Sequence, residues 1–316
     1  MAEKKRYVLL FLLGIVCVVS ISAVIVNYKG LRENIFSKGN SEAPGVNWVR
    51  DADSTSAIYP LVVEGKLDFA GEEVPLNDTE VKERLDREMQ VNAYWQSNTI
   101  LNMKYANRYF GEVEKTLAEQ GVPSDFKYMI LVESAFRDFS SPADAIGYWH
   151  ILKETGKLYG LEMNGEVDER YNLEKSTIAA CKYLKQAKAK LGSWTLAAAS
   201  YNMGMEGVAN RLKDQKVQTY YQLFLNQETS RYVFRMLAMK VIFSNPAKAG
   251  YHLKEEDLYQ PYKYKVVEVD TPIANIADFA AQYGITYKHI KMLNPWLRDA
   301  QLTNKERKKY LIKILQ

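Results

Sequence analysis

Between residues 78 and 246 the apolar side chains recur at helical spacing, and from Tyr264 to Val269 a β-branched, strand-like run breaks that spacing. That change of period constrains the fold more than any other feature, because a stripe repeating every three to four residues has one buried face as a helix and none as a strand. Ala180, Tyr183, Leu184, Ala187 and Leu191 make one such stripe, closed by Gly192 where a left-handed residue commonly ends a helix. Trp194 opens the next segment, in which Ala197, Ala198, Ala199 and Ser200 are small enough for a neighbouring helix backbone to come close. Tyr232, Val233, Met236, Leu237 and Met239 form a further stripe that stops before Pro246. Upstream, Asn77 and Glu80 read as a capping box opening a helix through Val81, Leu85 and Met89. Gly121 and Pro123 separate two helices, the second with Ser124 as its N-cap. A short extended stretch from Ile58 to Leu76, broken by Gly71 and Pro75, comes before them all.

Past Pro246 the chemistry changes. Tyr264 to Val269 is β-branched and strand-like, helical stretches follow at Ile276–Tyr283 and Tyr287–Leu293, and Tyr310 to Ile314 is strand-like again. The expectation is a mainly α chain, with a helical domain over 67–246 and a small β-α-α-β domain over 247–316.

The N-terminus sets the compartment. From Tyr7 to Val26 no residue is charged, and Lys4, Lys5 and Arg6 stand just before. About 20 apolar residues span a bilayer core as one helix, and flanking basic residues stay in the cytoplasm, so residues 1–28 predict a transmembrane anchor with the rest of the chain outside. The competing reading is a cleaved signal peptide with Ser20 and Ser22 as its small cleavage-site residues; such peptides have shorter apolar cores. A lipoprotein is disfavoured because Val16 precedes Cys17. Residues 29–66, polar and carrying Gly30, Gly39 and Gly45, read as a linker.

Composition excludes several classes. Of two cysteines, Cys17 lies in the apolar run and Cys181 stands alone, which rules out a disulfide within a folded domain and a cysteine-rich zinc site. The net charge of +4 is scattered, giving nucleic-acid binding no electrostatic support. No cofactor or metal is expected. The 22 tyrosines suit a wet-edged core and a binding cleft equally.

One carboxylate breaks the apolar pattern. Phe126, Met129, Ile130 and Glu133 follow the i, i+3, i+4, i+7 rule, so Glu133 falls on an apolar face. Burial there raises a carboxyl pKa, as a general acid near neutral pH requires. The ordinary alternative is a surface i,i+4 pair between Glu133 and Arg137, and this helix alone favours it.

The surroundings of Glu133 reverse that preference. Glu133-Ser134, Gly147-Tyr148-Trp149-His150, Ser200-Tyr201-Asn202-Met203-Gly204 and Glu228-Thr229-Ser230-Arg231-Tyr232-Val233 stand in order along the chain. They resemble the ordered motifs of the family-1 lytic transglycosylases, bacterial enzymes of goose-lysozyme-like helical fold that cleave peptidoglycan. Asp168-Glu169-Arg170 and the stretch Glu174, Ser176, Ala179, Ala180, Tyr183 and Leu184 support the likeness, which covers residues 67 to 246. It is strongest to the D-type membrane-bound branch, which carries C-terminal LysM modules. Three positions depart: His150 stands where the family usually has Gln, and Ser200 and Met203 where it often has Ala.

The resemblance implies that Glu133 is a single acid and base cutting the bond between N-acetylmuramic acid and N-acetylglucosamine, with closure of a 1,6-anhydro ring. It assigns substrate binding to Ser134, His150, Tyr201, Asn202 and Tyr232. Glu228 reads as structural, and Trp149 and Trp194 as packing. The residues of Tyr264–Val269, Asp270-Thr271, Ile276-Ala277, Tyr283-Gly284-Ile285-Thr286, Ile290 and Leu293-Asn294-Pro295 resemble a LysM domain, a βααβ glycan binder. Such a module on a short linker is expected to act by avidity, with peptidoglycan glycan strands as the partner. The alternatives are a hydrolytic muramidase, for which Asp144, Asp168 and Glu169 offer second carboxylates, and a non-catalytic peptidoglycan-binding scaffold. Cys181 reads as a packed helix residue.

Overall fold

In the computed structural model, residues 60–63, 65–137 and 145–316 are described; the expected anchor, nearly all of the linker and Asp144 lie outside them. Among the described residues no helix is long and apolar enough to cross a membrane. A two-residue hairpin comes first, Asp68–Phe69 (β1) against Glu72–Glu73 (β2). It supplies the extended character expected before Leu76.

Helix α1 (Thr79–Tyr94) starts one residue later than the Asn77 reading requires. Asp78 is the N-cap, and its carboxylate accepts from the backbone N–H groups of Glu80 and Val81 at 2.9 and 3.5 Å. A short charged side chain at that position satisfies two orphan donors by itself, so Asn77 has no capping role to play. Helix α2 (Gln96–Glu119) follows, then a 3₁₀ turn over Ser124–Phe126 that runs into α3 (Lys127–Glu133). Ser124 therefore lies within the turn, and its side chain makes no capping bond.

Four longer helices complete the helical part, after a short α4 (Lys153–Leu158): α5 (Leu173–Leu191), α6 (Trp194–Met203), α7 (Met205–Gln215) and α8 (Gln227–Ser244). Gly192 ends α5 with φ 88°, as its position after the stripe predicts. Ala197, Ala198, Ala199 and Ser200 are fully buried, and α6 packs through them against both α5 and α8. Helix α8 runs through the core, burying Tyr232, Val233, Phe234, Met236, Leu237 and Ile242. Cys181 is fully buried in the same core.

The small unit is βααβ. Strands β3 (Tyr264–Val269) and β4 (Tyr310–Leu315) pair antiparallel, Tyr264 opposite Leu315 and Val269 opposite Tyr310. Between them lie α9 (Ile276–Ala281), capped by Asn275, and α10 (Tyr287–Leu293), capped by Thr286. Asn294 is fully buried after α10; its amide donates to the carbonyls of Ile290 and Lys313 and accepts from the Lys313 N–H. It pins β4 to α10.

This unit is docked, where a short linker and avidity were expected. Tyr59–Gln316 form one compact unit. Val167, from the helical part, is buried in the same apolar cluster as Ile273, Ile276, Ile290, Leu297 and Ile312. Around it the Asp168 N–H donates to the Trp296 carbonyl at 2.9 Å and the Arg298 N–H to the Glu166 carbonyl at 2.7 Å. Lys313 on β4 meets the Glu112 carboxylate on α2 at 2.8 Å. A shared apolar core fixes relative position in a way that a tether does not.

Candidate functional site

Glu133 is the last residue of α3. Phe126, Met129 and Ile130 of its face are fully buried, while the Glu133 side chain stays 15% exposed. The i,i+4 pairing with Arg137 does not form, because the helix ends and Ala135 and Phe136 take left-handed backbone, φ 51° and 59°. Arg137 is carried away and donates to Asn98 at 2.7 Å.

Tyr232 on α8 donates its hydroxyl to Oε1 of Glu133. Oε2 lies 3.6 Å from Nδ1 of His150. Burial pushes the Glu133 carboxyl up to about 7, against the Tyr232 hydrogen bond and the Arg235 charge, which pull it down; Glu228 nearby adds to the rise. Desolvation wins because the hydrogen bond and the distant cation compensate only part of the lost hydration. The tyrosines respond in kind: burial and the Glu133 charge hold the hydroxyls of Tyr201 and Tyr232 well above the ordinary tyrosine range.

The remaining motif residues assemble around this pair. Ser134 donates through Oγ to the Tyr148 carbonyl at 2.6 Å, tying the end of α3 to the turn that carries His150. That turn is closed by the Ile146–Ile151 bridge and by the His150 N–H donating to the Gly147 carbonyl at 3.2 Å. Gly147 has φ 78°, and a Cβ there would lie 2.1 Å from the Arg170 carbonyl oxygen, so the close approach needs glycine. His150 itself is left-handed, φ 45°. Tyr201, near the end of α6, donates to the Trp149 carbonyl at 2.8 Å. The Trp149 indole is fully buried and donates to Thr177 at 2.8 Å.

Asn202 accepts from the Thr229 hydroxyl at 2.6 Å and donates to Glu228 at 3.1 Å. Tyr232 is buried, and its contact is with the acid. Glu133, Ser134, His150, Tyr201 and Tyr232 thus gather around one turn of chain, while Asn202 bonds to Thr229 and Glu228, whose charge acts on Glu133 through space. Sequence reasoning did not select Arg235, which acts on Glu133 by charge and donates to the Val132 carbonyl at 3.4 Å. The available signal was its i+3 spacing from Tyr232, which puts both on one face of α8.

Among the described residues, the second-carboxylate candidates Asp168 and Glu169 are otherwise engaged. Asp168 holds the Arg170 guanidinium through both oxygens, at 3.0 and 2.7 Å. Glu169 pairs with Lys175 and accepts from the Glu162 N–H. Among the described residues no three His, Cys, Asp or Glu side chains group as a metal site.

A largely buried acid held by a tyrosine beside the Gly147–His150 turn coincides with a family match. Residues 108–224 match the transglycosylase SLT domain. The matched stretch contains Glu133, Ser134, His150, Tyr201 and Asn202, while Tyr232 lies just beyond its end. Residues 265–315 match the soluble lytic transglycosylase C-terminal LysM-like domain, which coincides with the docked βααβ unit. The chain is 29% identical over 282 residues to the membrane-bound lytic murein transglycosylase D of two Escherichia coli strains, an alignment covering 85% of this chain and 60% of that protein. The chain thus spans less than two thirds of the curated relatives it matches. An inactive mutant of the lytic transglycosylase Slt from Pseudomonas aeruginosa is similar over 56% of this chain and 33% of its own, at 19% identity and a TM-score of 0.38.

Proposed function

We propose that this protein is a peptidoglycan lytic transglycosylase of the cell envelope, cutting the β-1,4 bond between N-acetylmuramic acid and N-acetylglucosamine, with Glu133 as the only acid and base. The observation that carries this reading is the Glu133 carboxyl itself: buried, pushed up to about 7, held on one oxygen by Tyr232 and facing His150 with the other. At neutral pH such a group is populated in both protonation states, which a residue acting first as acid and then as base requires.

The chemistry follows from that single group. Glu133 gives its proton to the glycosidic oxygen, the bond from the muramic anomeric carbon to that oxygen breaks, and its electron pair stays on the leaving N-acetylglucosamine. The substrate's 2-acetamido oxygen shields the anomeric carbon meanwhile, so no second protein carboxylate is needed. The Glu133 carboxylate then takes the proton of the muramic 6-hydroxyl, whose oxygen attacks the anomeric carbon as the acetamido oxygen departs. No water is consumed. Ser134 and Tyr201 fix the turn bearing His150, His150 and Asn202 contact sugar substituents, and Tyr232 orients the acid.

We assign residues 1–28 to a membrane anchor, 29–66 to a linker, 67–246 to the catalytic domain and 247–316 to the LysM-like domain. The membrane-bound name of the relatives supports an envelope location. A hydrolytic muramidase would need a second free carboxylate, and the Arg170 and Lys175 partners of Asp168 and Glu169 weigh against that reading. Digestion of purified murein followed by mass spectrometry of the released ends tests the proposal. Anhydromuramic ends are expected; reducing ends would establish a hydrolase, and absence of soluble product a non-catalytic scaffold.

A further inference from the structure

A cavity of about 1000 Å³ lies where α2 and the start of α5 face the LysM-like unit. Its walls come from both parts of the molecule, and Glu133 is not one of them. Tyr148 is, however, and the Tyr148 carbonyl is the group that Ser134 grips beside the acid. The cavity and the Glu133 network thus share one turn of chain.

Two chemistries line it. Tyr109, Tyr148 and Tyr171 on the helical side and Tyr262 and Tyr264 on the other are each half-buried. A half-buried tyrosine presents a flat apolar face and a polar edge, the pair of surfaces that a sugar ring also has. The charge is unbalanced: six lysine and arginine side chains line the space against three glutamates. Lys313 is matched by Glu112, Lys175 by Glu169, and Lys309 by Glu268. The excess therefore rests on Arg108, Lys115 and Lys263, with Glu174 opposing. Lys115 pairs with Glu119 at 3.9 Å, and both side chains are largely exposed, so that pair neutralises little.

We propose that this cavity is a second substrate site that binds the carboxylate-bearing part of peptidoglycan, the peptide-substituted N-acetylmuramic residues, on the strand being cut at Glu133. The proposal rests on the transglycosylase reading for the identity of the strand. Its volume stands at the upper end of the roughly 300–1,000 Å³ usual for small-molecule pockets, which suits an oligomer better than one sugar. A neutral N-acetylglucosamine strand satisfies the aromatic faces and leaves the cations unmatched; the carboxylates of the stems match both. Because Val167 and the Lys313–Glu112 pair fix the two walls relative to each other, the site is formed before substrate arrives, and no docking motion is charged against affinity. The LysM-like unit then serves as one wall of a substrate cleft.

The test uses the full chain carrying Glu133→Gln, so that binding is read without turnover. Affinity for a disaccharide tetrapeptide and for N-acetylchitotetraose is measured by calorimetry, with and without the exposed double change Lys115→Glu and Lys263→Glu. The double change is expected to weaken the muropeptide by about tenfold at low salt, an effect that shrinks as salt rises, and to leave the neutral oligomer unchanged. Unaltered muropeptide affinity overturns the proposal, and so does an equal loss for both ligands, which would make the cavity a plain saccharide platform. Single Lys→Gln changes at the two positions should give intermediate losses, which separates charge from misfolding. Turnover of murein by the chain with Glu133 intact is read independently: its absence, with muropeptide binding retained, removes the catalytic reading and leaves this one standing.

Discussion

Tyr232 holds one oxygen of Glu133 from 99 residues further along the chain, and the other oxygen faces His150 at 3.6 Å. The hydroxyl favours the charged carboxylate and burial favours the neutral acid; burial prevails, and the carboxyl reaches about 7.

Replacing Glu133 with Gln should lower the release of anhydromuropeptides by on the order of 10³-fold or more, because both proton transfers lose their only carrier. The same change has a stability signature. Glu133 has its folded pKa raised from 4.5 to about 7, so the folded state binds more protons than the unfolded one between those values. The Glu133 contribution to stability is therefore greatest below about 4.5 and is lost as pH rises through 7, by up to about 3 kcal/mol. Glu133→Gln removes that loss, and thermal melts at pH 8 should show the variant more stable than wild type. A variant that melts lower at pH 8 would contradict the burial of the charge.

Tyr232→Phe deletes the hydrogen bond that pulls the Glu133 pKa down. The alkaline limb of the kcat/KM profile, where activity falls as pH rises through the Glu133 pKa, should move to higher pH. A profile that keeps its shape while its height drops would mean that Tyr232 acts only through packing.

His150→Gln keeps a hydrogen-bonding side chain opposite Oε2 and is expected to retain kcat/KM within about threefold, whereas His150→Ala should lose about tenfold. Equal effects of the two would show that the side chain contacts neither the acid nor the sugar.

Gly147→Ala forces a Cβ to 2.1 Å from the Arg170 carbonyl at φ 78°, and Arg170 is itself clamped by Asp168 and the Ile151 carbonyl. Neither side has room to yield, so denaturant unfolding should register a loss of about 3 kcal/mol.

Asn294→Ala leaves the half-buried Lys313 N–H and carbonyl without their side-chain partners and empties the fully buried Asn294 position, at a cost of about 2 kcal/mol. Since Lys313 also meets Glu112 across the docking contact, proteolysis near residues 162–171 should quicken in this variant.

The amino-acid order by itself determined the helices, the switch to βααβ and the strand limits at Tyr264–Val269, because period and β-branching are local properties that survive without a partner. It also placed Glu133 on an apolar face, and that face is buried. Only the tertiary structure decided what the carboxylate does there. Its competition with Arg137 ended with two left-handed residues that no periodicity announces, and its partner Tyr232 reaches it only because α8 runs through the core. Asp168 and Glu169 look as available in sequence as Glu133; in space they are clamped by Arg170 and Lys175. The docking of the LysM-like unit was invisible for the same reason. It depends on one valine from a loop near residue 167 entering the core of a unit 100 residues away, and a long-range contact of that kind leaves no period to read.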